Sequence, residues 1–152
     1  MTDEQLKEKI MTLLPGAVFE ENKQYLTVTV APDEFHGLAR ILKDSADTAF
    51  DYLVCLTGVD YGAALGVVYH LESSVHRHFI VLKTRTEDRD QPVLPSVSDI
   101  WLGAELHEDE VYDLLGIRFT GHPDLRRLFL WDEWQGYPLR KDYKDEINII
   151  EL

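Results

Sequence analysis

The sequence predicts an α+β fold: a mostly antiparallel sheet packed with helices, followed by an extended C-terminal tail. Three observations predict it. Strand-like segments bounded by turn residues gather in the first two thirds of the chain, at 25–31, 49–59, 64–72 and 76–85. Segments with apolar residues at helical spacing stand before, between and after them. Residues 121–144, GHPDLRRLFLWDEWQGYPLRKDYK, fit neither pattern over more than half their length.

Thr2-Asp3-Glu4-Gln5 opens the first helix, with Thr2 as cap and Gln5 at the capping-box position. Leu6, Ile10, Leu13 and Leu14 form its apolar stripe, and Pro15-Gly16 ends it. Residues 17–20 and 25–31 read as a hairpin turning through ENKQ, with Leu26, Val28 and Val30 alternating with threonines. Pro32-Asp33-Glu34 places a proline and two acids in the first turn of a second helix, through Phe35, Leu38, Ile41 and Leu42. The strands at 49–59, 64–72 and 76–85 follow as a meander joined by short turns. After a charged loop, Pro92 and Pro95 lead to Ser96, which reads as the cap of a helix over 97–115. Helices set against such a sheet make a two-layer body over 1–120, with 121–152 as an interaction tail of the same single unit. No internal repeat or linker divides it.

The chain has 152 residues, enough for one core without staples. Its 45% hydrophobic and 28% charged residues are ordinary for a globular domain. A net charge of −13 argues against nucleic acid and against direct docking on an anionic membrane. The single cysteine, Cys55, excludes an internal disulfide or a cysteine-ligated iron–sulfur cluster within the chain, which suits a reducing cytoplasmic setting. MTDEQLKEKI holds no secretory signal, and no apolar run approaches the ~18–20 residues that span a bilayer. Any link to a membrane is expected to pass through a partner. The charge is uneven: residues 1–120 carry 10 basic and 21 acidic groups, whereas 122–144 carry 5 basic and 4 acidic.

Few residues suggest chemistry. His107, Glu108 and Asp113 form the nearest thing to a catalytic cluster, the basis of a reading as a stand-alone enzyme. A zinc helix would need a second histidine at 111, which is Val. Asp109 and Asp113 stand i,i+4 and could share a hard cation, although such pairs usually just meet solvent. His76 and His78 alternate on an expected strand, a surface pair. Cys55 lies between Val54 and Leu56, where a buried inert thiol is expected. Gly58, Gly62 and Gly66 do not make a phosphate loop. No catalytic residue, cofactor-binding residue or metal ligand is assigned.

Residues 117–143, IRFTGHPDLRRLFLWDEWQGYPLRKDY, resemble the signature of the C-type subunit of bacterial NADH-quinone oxidoreductase, the respiratory complex I 30-kilodalton subunit family with its chloroplast J-type relative. The resemblance extends upstream through Trp101, Ala104, Glu108, Glu110, Val111, Tyr112, Asp113, Gly116 and Ile117. Leu106, Asp109, Trp131 and Tyr137 depart from the family pattern, and membrane-bound hydrogenase and formate-hydrogenlyase-type complexes use similar subunits. The resemblance implies a non-catalytic structural subunit of the peripheral arm, near the quinone-reducing module. It implies no cofactor in this chain, since NADH, quinone and iron–sulfur clusters belong to other subunits. The implied partners are a D-type subunit and B- and I-type iron–sulfur subunits, on the cytoplasmic side of the inner membrane and peripheral to it. The expected contact residues are His122, Pro123, Asp124, Leu125, Arg126, Arg127, Trp134, Gly136, Pro138, Leu139, Arg140, Lys141, Asp142 and Tyr143, with Glu108, Glu110, Tyr112, Asp113 and Gly116 marking the helix.

Aromatic anchors and arginines are the residue types that dominate interface energetics, so the tail reads as a docking ribbon. The competing reading packs its tryptophans into the chain's own core. If the ribbon docks, Arg127→Ala or Arg140→Ala should leave the melting temperature of the free chain nearly unchanged.

Overall fold

The computed structural model describes residues 1–21 and 24–145. The middle of the ENKQ turn and the end of the tail, 146–152, lie outside the described residues.

Helix α1 spans Asp3–Leu13 and carries the expected capping box, with Thr2 and Gln5 bonded reciprocally. Strands β1 (Val18–Glu20) and β2 (Leu26–Thr29) pair antiparallel, and α2 spans Pro32–Asp44. The meander is β3 (Tyr52–Asp60), β4 (Leu65–Ser73) and β5 (His78–Thr86). These strands form one sheet in the order β1-β2-β5-β4-β3, antiparallel except where β2 runs parallel to β5. A crossover through α2 and the meander makes that parallel join possible.

Register shows which face is buried. Phe19, Val28, Leu82, Tyr69 and Leu56 are successive partners across all five strands, and the last four are at most 3% exposed. The helices lie on this face, with Leu6, Ile10, Phe35, Leu38, Leu42, Val111 and Leu115 in the same core. Phe35 packs on Tyr69 with ring centroids 4.6 Å apart. The next row, Glu20, Thr27, Val81, His70 and Cys55, points to the helix-free face, as period-2 geometry demands.

The C-terminal third corrects the sequence reading. Helix α3 spans Ala104–Leu115, seven residues shorter at its start than the expected 97–115. Ser96 does not cap it. Val93–Pro95 forms a short strand β6, paired in parallel with β7 (Arg118–Thr120), and the Ser96 amide continues that contact to the Thr120 carbonyl at 2.9 Å. Backbone pairing with a distant strand overrides the local helix signal. His76 also departs from expectation: it sits in the β4–β5 turn, with Nε2 2.8 Å from the Ala46 carbonyl, while His78 meets Asp3 at 2.6 Å. The two do not form a surface pair.

Candidate functional site

Helix α3 presents three different faces. Val111 and Leu115 pack on β3, where Gly58 is needed for the approach: a Cβ there would lie 2.4 Å from a Leu115 methyl and 2.9 Å from one of Val111. His107, Glu110 and Leu114 line a cleft beside β3. Asp109 and Asp113, one turn apart, face the tail.

Asp113 is fully buried and organises the tail. Its Oδ2 accepts the amides of Leu128, Phe129 and Leu130 at 3.2, 2.7 and 3.2 Å. Its Oδ1 accepts Arg127 Nη1 at 3.0 Å. Burial pushes this carboxyl up, but the Phe129 amide, Arg127 and the neighbouring amides together hold it below its ordinary value. Arg127 Nη1 also donates to the Asp113 carbonyl, and Nη2 to the carbonyls of Trp134 and Gly136. Leu139 donates its amide to the Leu114 carbonyl at 3.0 Å, and Arg140 Nε donates to that of Leu115 at 2.7 Å. The tail thus takes the carbonyls that the last turn of α3 leaves without helical partners, and it brings cations to the negative end of the helix.

Gly116 ends α3 with φ +75°, and a Cβ there would meet the Tyr137 ring at 2.6 Å. The Tyr137 ring lies 5.0 Å from each of the Arg127 and Arg140 guanidinium carbons. Tyr112 faces Arg118, and its ring centroid is 6.4 Å from that of Tyr137.

Upstream, His122 has a buried ring. Its Nδ1 accepts the Asp124 amide at 3.0 Å, which leaves Nε2 as the donor. Nε2 then donates to the Glu105 carbonyl at 2.9 Å, with Asp109 at 3.4 Å. Asp109 Oδ1 accepts the Arg126 amide at 3.1 Å. Glu108 points elsewhere, into the core, where it accepts the Ser96 hydroxyl at 2.7 Å and the Val97 amide at 2.8 Å. Burial pushes the Glu108 carboxyl up to about 7, against the lowering effect of those two donors.

Beyond α3, the Lys141 amide binds Asp60 Oδ2 at 2.9 Å at the end of β3. Asp60 is paired bidentately with Arg89, at 2.6 and 3.0 Å, which holds its carboxyl far below the usual range. Arg89 reaches Asp142 at 3.3 Å, and its carbonyl accepts Arg140 Nη1.

Several sequence expectations change here. His107, Glu108 and Asp113 do not form a cluster; they face the cleft, the core and the tail respectively. Asp109 and Asp113 do not face solvent; both are buried and accept tail amides. Arg127 and Arg140 meet their own chain's carboxylate and carbonyls, so Arg127 turns inward with only 10% of its side chain exposed. Leu125 packs on the core, and Trp134, Pro138 and Tyr143 are half-buried. Pro123, Asp124, Arg126, Gly136, Lys141 and Asp142 are exposed. Cys55 is half-buried, with Sγ 3.3 Å from His70 Nδ1 on the helix-free face. Asp60 and Arg89 were not singled out by sequence; an isolated acid at a strand end gives no pairing signal.

The tail's outward side is apolar. Phe129 is 68% exposed, Trp131 64% and Leu139 60%, and Leu102 and Leu106 at the start of α3 are also exposed. Among the described residues, no three His, Cys, Asp or Glu side chains gather in a way that could hold a metal ion. No helix among them is long and apolar enough to cross a membrane. The arrangement is chemically a fastening: carboxylates and helix-end carbonyls hold a peptide.

Residues 28–147 match the profile of the respiratory-chain NADH dehydrogenase 30 Kd subunit. The chain belongs to that family. A relative in Phocaeicola vulgatus, the C/D subunit of an NADH-quinone oxidoreductase, is 61% identical over 103 residues, covering 67% of this chain and 20% of the relative. The C-type subunit of NADH-quinone oxidoreductase in Chloroherpeton thalassium is 47% identical over 114 residues, covering 74% and 47%. Its Roseiflexus castenholzii counterpart is 40% identical over 139 residues, covering 88% and 79%. The chain therefore spans about a fifth of the C/D relative and about half of the Chloroherpeton one. A chain of the membrane-bound sulfane sulfur reductase, an archaeal respiratory membrane complex, superposes with TM-score 0.77 at 28% identity, covering 93% of this chain and 85% of that one. The family match includes α3 and the tail to residue 147, so the fastening lies inside the family region. The architecture agrees with the expected α+β class.

Proposed function

We propose that this chain is a non-catalytic structural subunit of the peripheral arm of an NADH-quinone oxidoreductase of the complex I type. It docks on a D-type subunit near the quinone-reducing module and supports electron transfer coupled to ion translocation. One observation carries this reading: the backbone of residues 126–130 is bound inward to Asp109 and Asp113 while Phe129 and Trp131 point outward. A peptide fixed by its main chain presents apolar anchors in one pre-organised geometry, so little ordering cost remains at binding. The relatives whose single polypeptide is named C/D support a D-type partner. Contacts with B- and I-type iron–sulfur subunits, a position on the cytoplasmic side of the membrane, and the absence of any cofactor in this chain belong to the same proposal.

A second reading is the equivalent subunit of another membrane-bound respiratory or hydrogenase-type complex, favoured by the likeness to the sulfane sulfur reductase chain. Affinity purification of the tagged chain from its own cells tests both. Recovery with D-type and NADH-oxidising subunits supports the first reading, and recovery with hydrogenase or sulfur-reducing subunits supports the second. Recovery of the chain alone, active on a redox substrate, overturns the structural role.

A further inference from the structure

We propose that the outer edge of β3, over Cys55–Val59, receives one extended segment of the D-type partner, which adds to the sheet as a further strand in the cleft beside α3. This rests on the docking reading above and deepens it. β3 is the last strand of its sheet, paired only with β4 among the described residues. Alternate backbone amides and carbonyls along its outer side therefore lack a ladder partner. Exposed edges are normally blunted by charge, proline or a covering element. The stretch CLTGV carries neither charge nor proline.

The free stretch has defined ends. A register shift between Leu53 and Cys55 interrupts the ladder at one side. At the other, Asp60 is occupied by Arg89 and the Lys141 amide. Between them lies a cleft of ≈ 240 Å³, walled by Leu56, Gly58, Val111, Leu114 and Leu139 with Glu110 at the rim. Those walls suit the apolar side chains that project from one face of an added strand at every second residue. Glu110 suits a basic residue in the same segment.

Shape and continuity select the occupant. α3 and Leu139 flank the edge, so a second copy approaching edge to edge would bring its own α3 and Leu139 into the same space. A single extended segment meets no such obstacle. Leu139 belongs both to the cleft and to the outward apolar side of the tail, so a partner seated on Phe129 and Trp131 continues into the cleft. In the C/D relatives one polypeptide carries both portions, which keeps such a segment at high effective concentration.

The test co-expresses the full chain with the D-type subunit of the same genome and follows hydrogen exchange and binding. Outward amides within 55–59 should exchange freely in the free chain and become protected in the complex. Thr57→Lys, at an exposed position facing away from the helices, should leave melting unchanged and weaken binding at least tenfold. Phe129→Ala serves as the control for docking through the tail. If Phe129→Ala weakens binding while Thr57→Lys does not and residues 55–59 stay unprotected, the edge proposal is overturned and docking stands. If the D-type subunit is not captured at all, both fall. Protection of 55–59 that rises with the concentration of the chain alone assigns the edge to a second copy and overturns the proposal.

Discussion

Arg127 and Asp113 form a buried ion pair, Nη1 to Oδ1 at 3.0 Å, that joins the tail to the last turns of α3. The pair is not isolated. The other Asp113 oxygen binds three consecutive tail amides, and the other Arg127 nitrogen binds two tail carbonyls. One carboxylate and one guanidinium therefore set the path of residues 127–136.

Removing one partner of such a pair leaves a buried charge uncompensated, at a cost of about 3–5 kcal/mol. Arg127→Ala is expected to lower the stability of the free chain by that order, reversing the expectation from sequence that melting would be unchanged. Urea denaturation of the isolated chain checks it; a change below about 0.5 kcal/mol, typical of surface substitutions, would contradict the pairing.

Glu108 gives a pH dependence of definite sign. Its carboxyl titrates at about 7 when folded against an ordinary 4.5, so the folded state binds more protons between those values. Stability from this group is full below pH 4.5 and falls as pH rises toward 7, by on the order of 3 kcal/mol. Glu108→Gln keeps the shape without the charge and should be more stable than the parent at pH 8, with a flatter profile. Melting temperatures from pH 5 to 8 for both proteins decide it; parallel profiles would refute the assignment.

Asp113 acts in the opposite direction. Its folded carboxyl lies below the ordinary 3.8, so its contribution is present above that value and is lost as pH falls through the folded one. Acid should therefore release the tail from α3, with amides 128–130 losing protection together in hydrogen exchange. Asp113→Asn should already show their faster exchange at neutral pH.

Phe129→Ala and Trp131→Ala should separate folding from docking. Both side chains are about two-thirds exposed, so stability should change by less than about 0.5 kcal/mol. If they anchor a partner, each should weaken capture of the D-type subunit by ~2 kcal/mol, roughly thirtyfold. Unaltered capture in a pull-down titration by the double variant would count against the outward face as the interface.

Gly58→Val tests the approach of α3 to β3. Its Cβ alone would lie 2.4 Å from Leu115, and overpacking of that kind costs about 1–3 kcal/mol. Chemical denaturation should register the loss, while Gly37→Ala, at a helix position with open space around it, should not lower stability.

Most of the body was legible in the residues alone. Thr2 and Gln5, the alternation through Val28, and Pro32 ahead of two acids are local signals, and local hydrogen bonding and side-chain periodicity realise them where they stand. The family was legible too, in the long run from Ile117 to Tyr143. Long-range contacts settled where α3 begins, because each β6 residue finds its partner in β7, 25 residues later, and Ser96 serves Glu108 instead of a helix. They also settled what the tail binds within its own chain. Spacing places Asp109 and Asp113 on one stripe, but only the folded chain shows that stripe covered by a peptide needing acceptors. Part-buried amides at 126 and 128–130 must be satisfied, and these carboxylates are within reach. The arginines turned inward for the same reason: a buried carboxylate and the open carbonyls at a helix end attract cations of the same chain more strongly than solvent does. On the other side of the tail Phe129, Trp131 and Leu139 stay largely exposed, because the backbone and the arginines, not these side chains, satisfy the polar groups of α3.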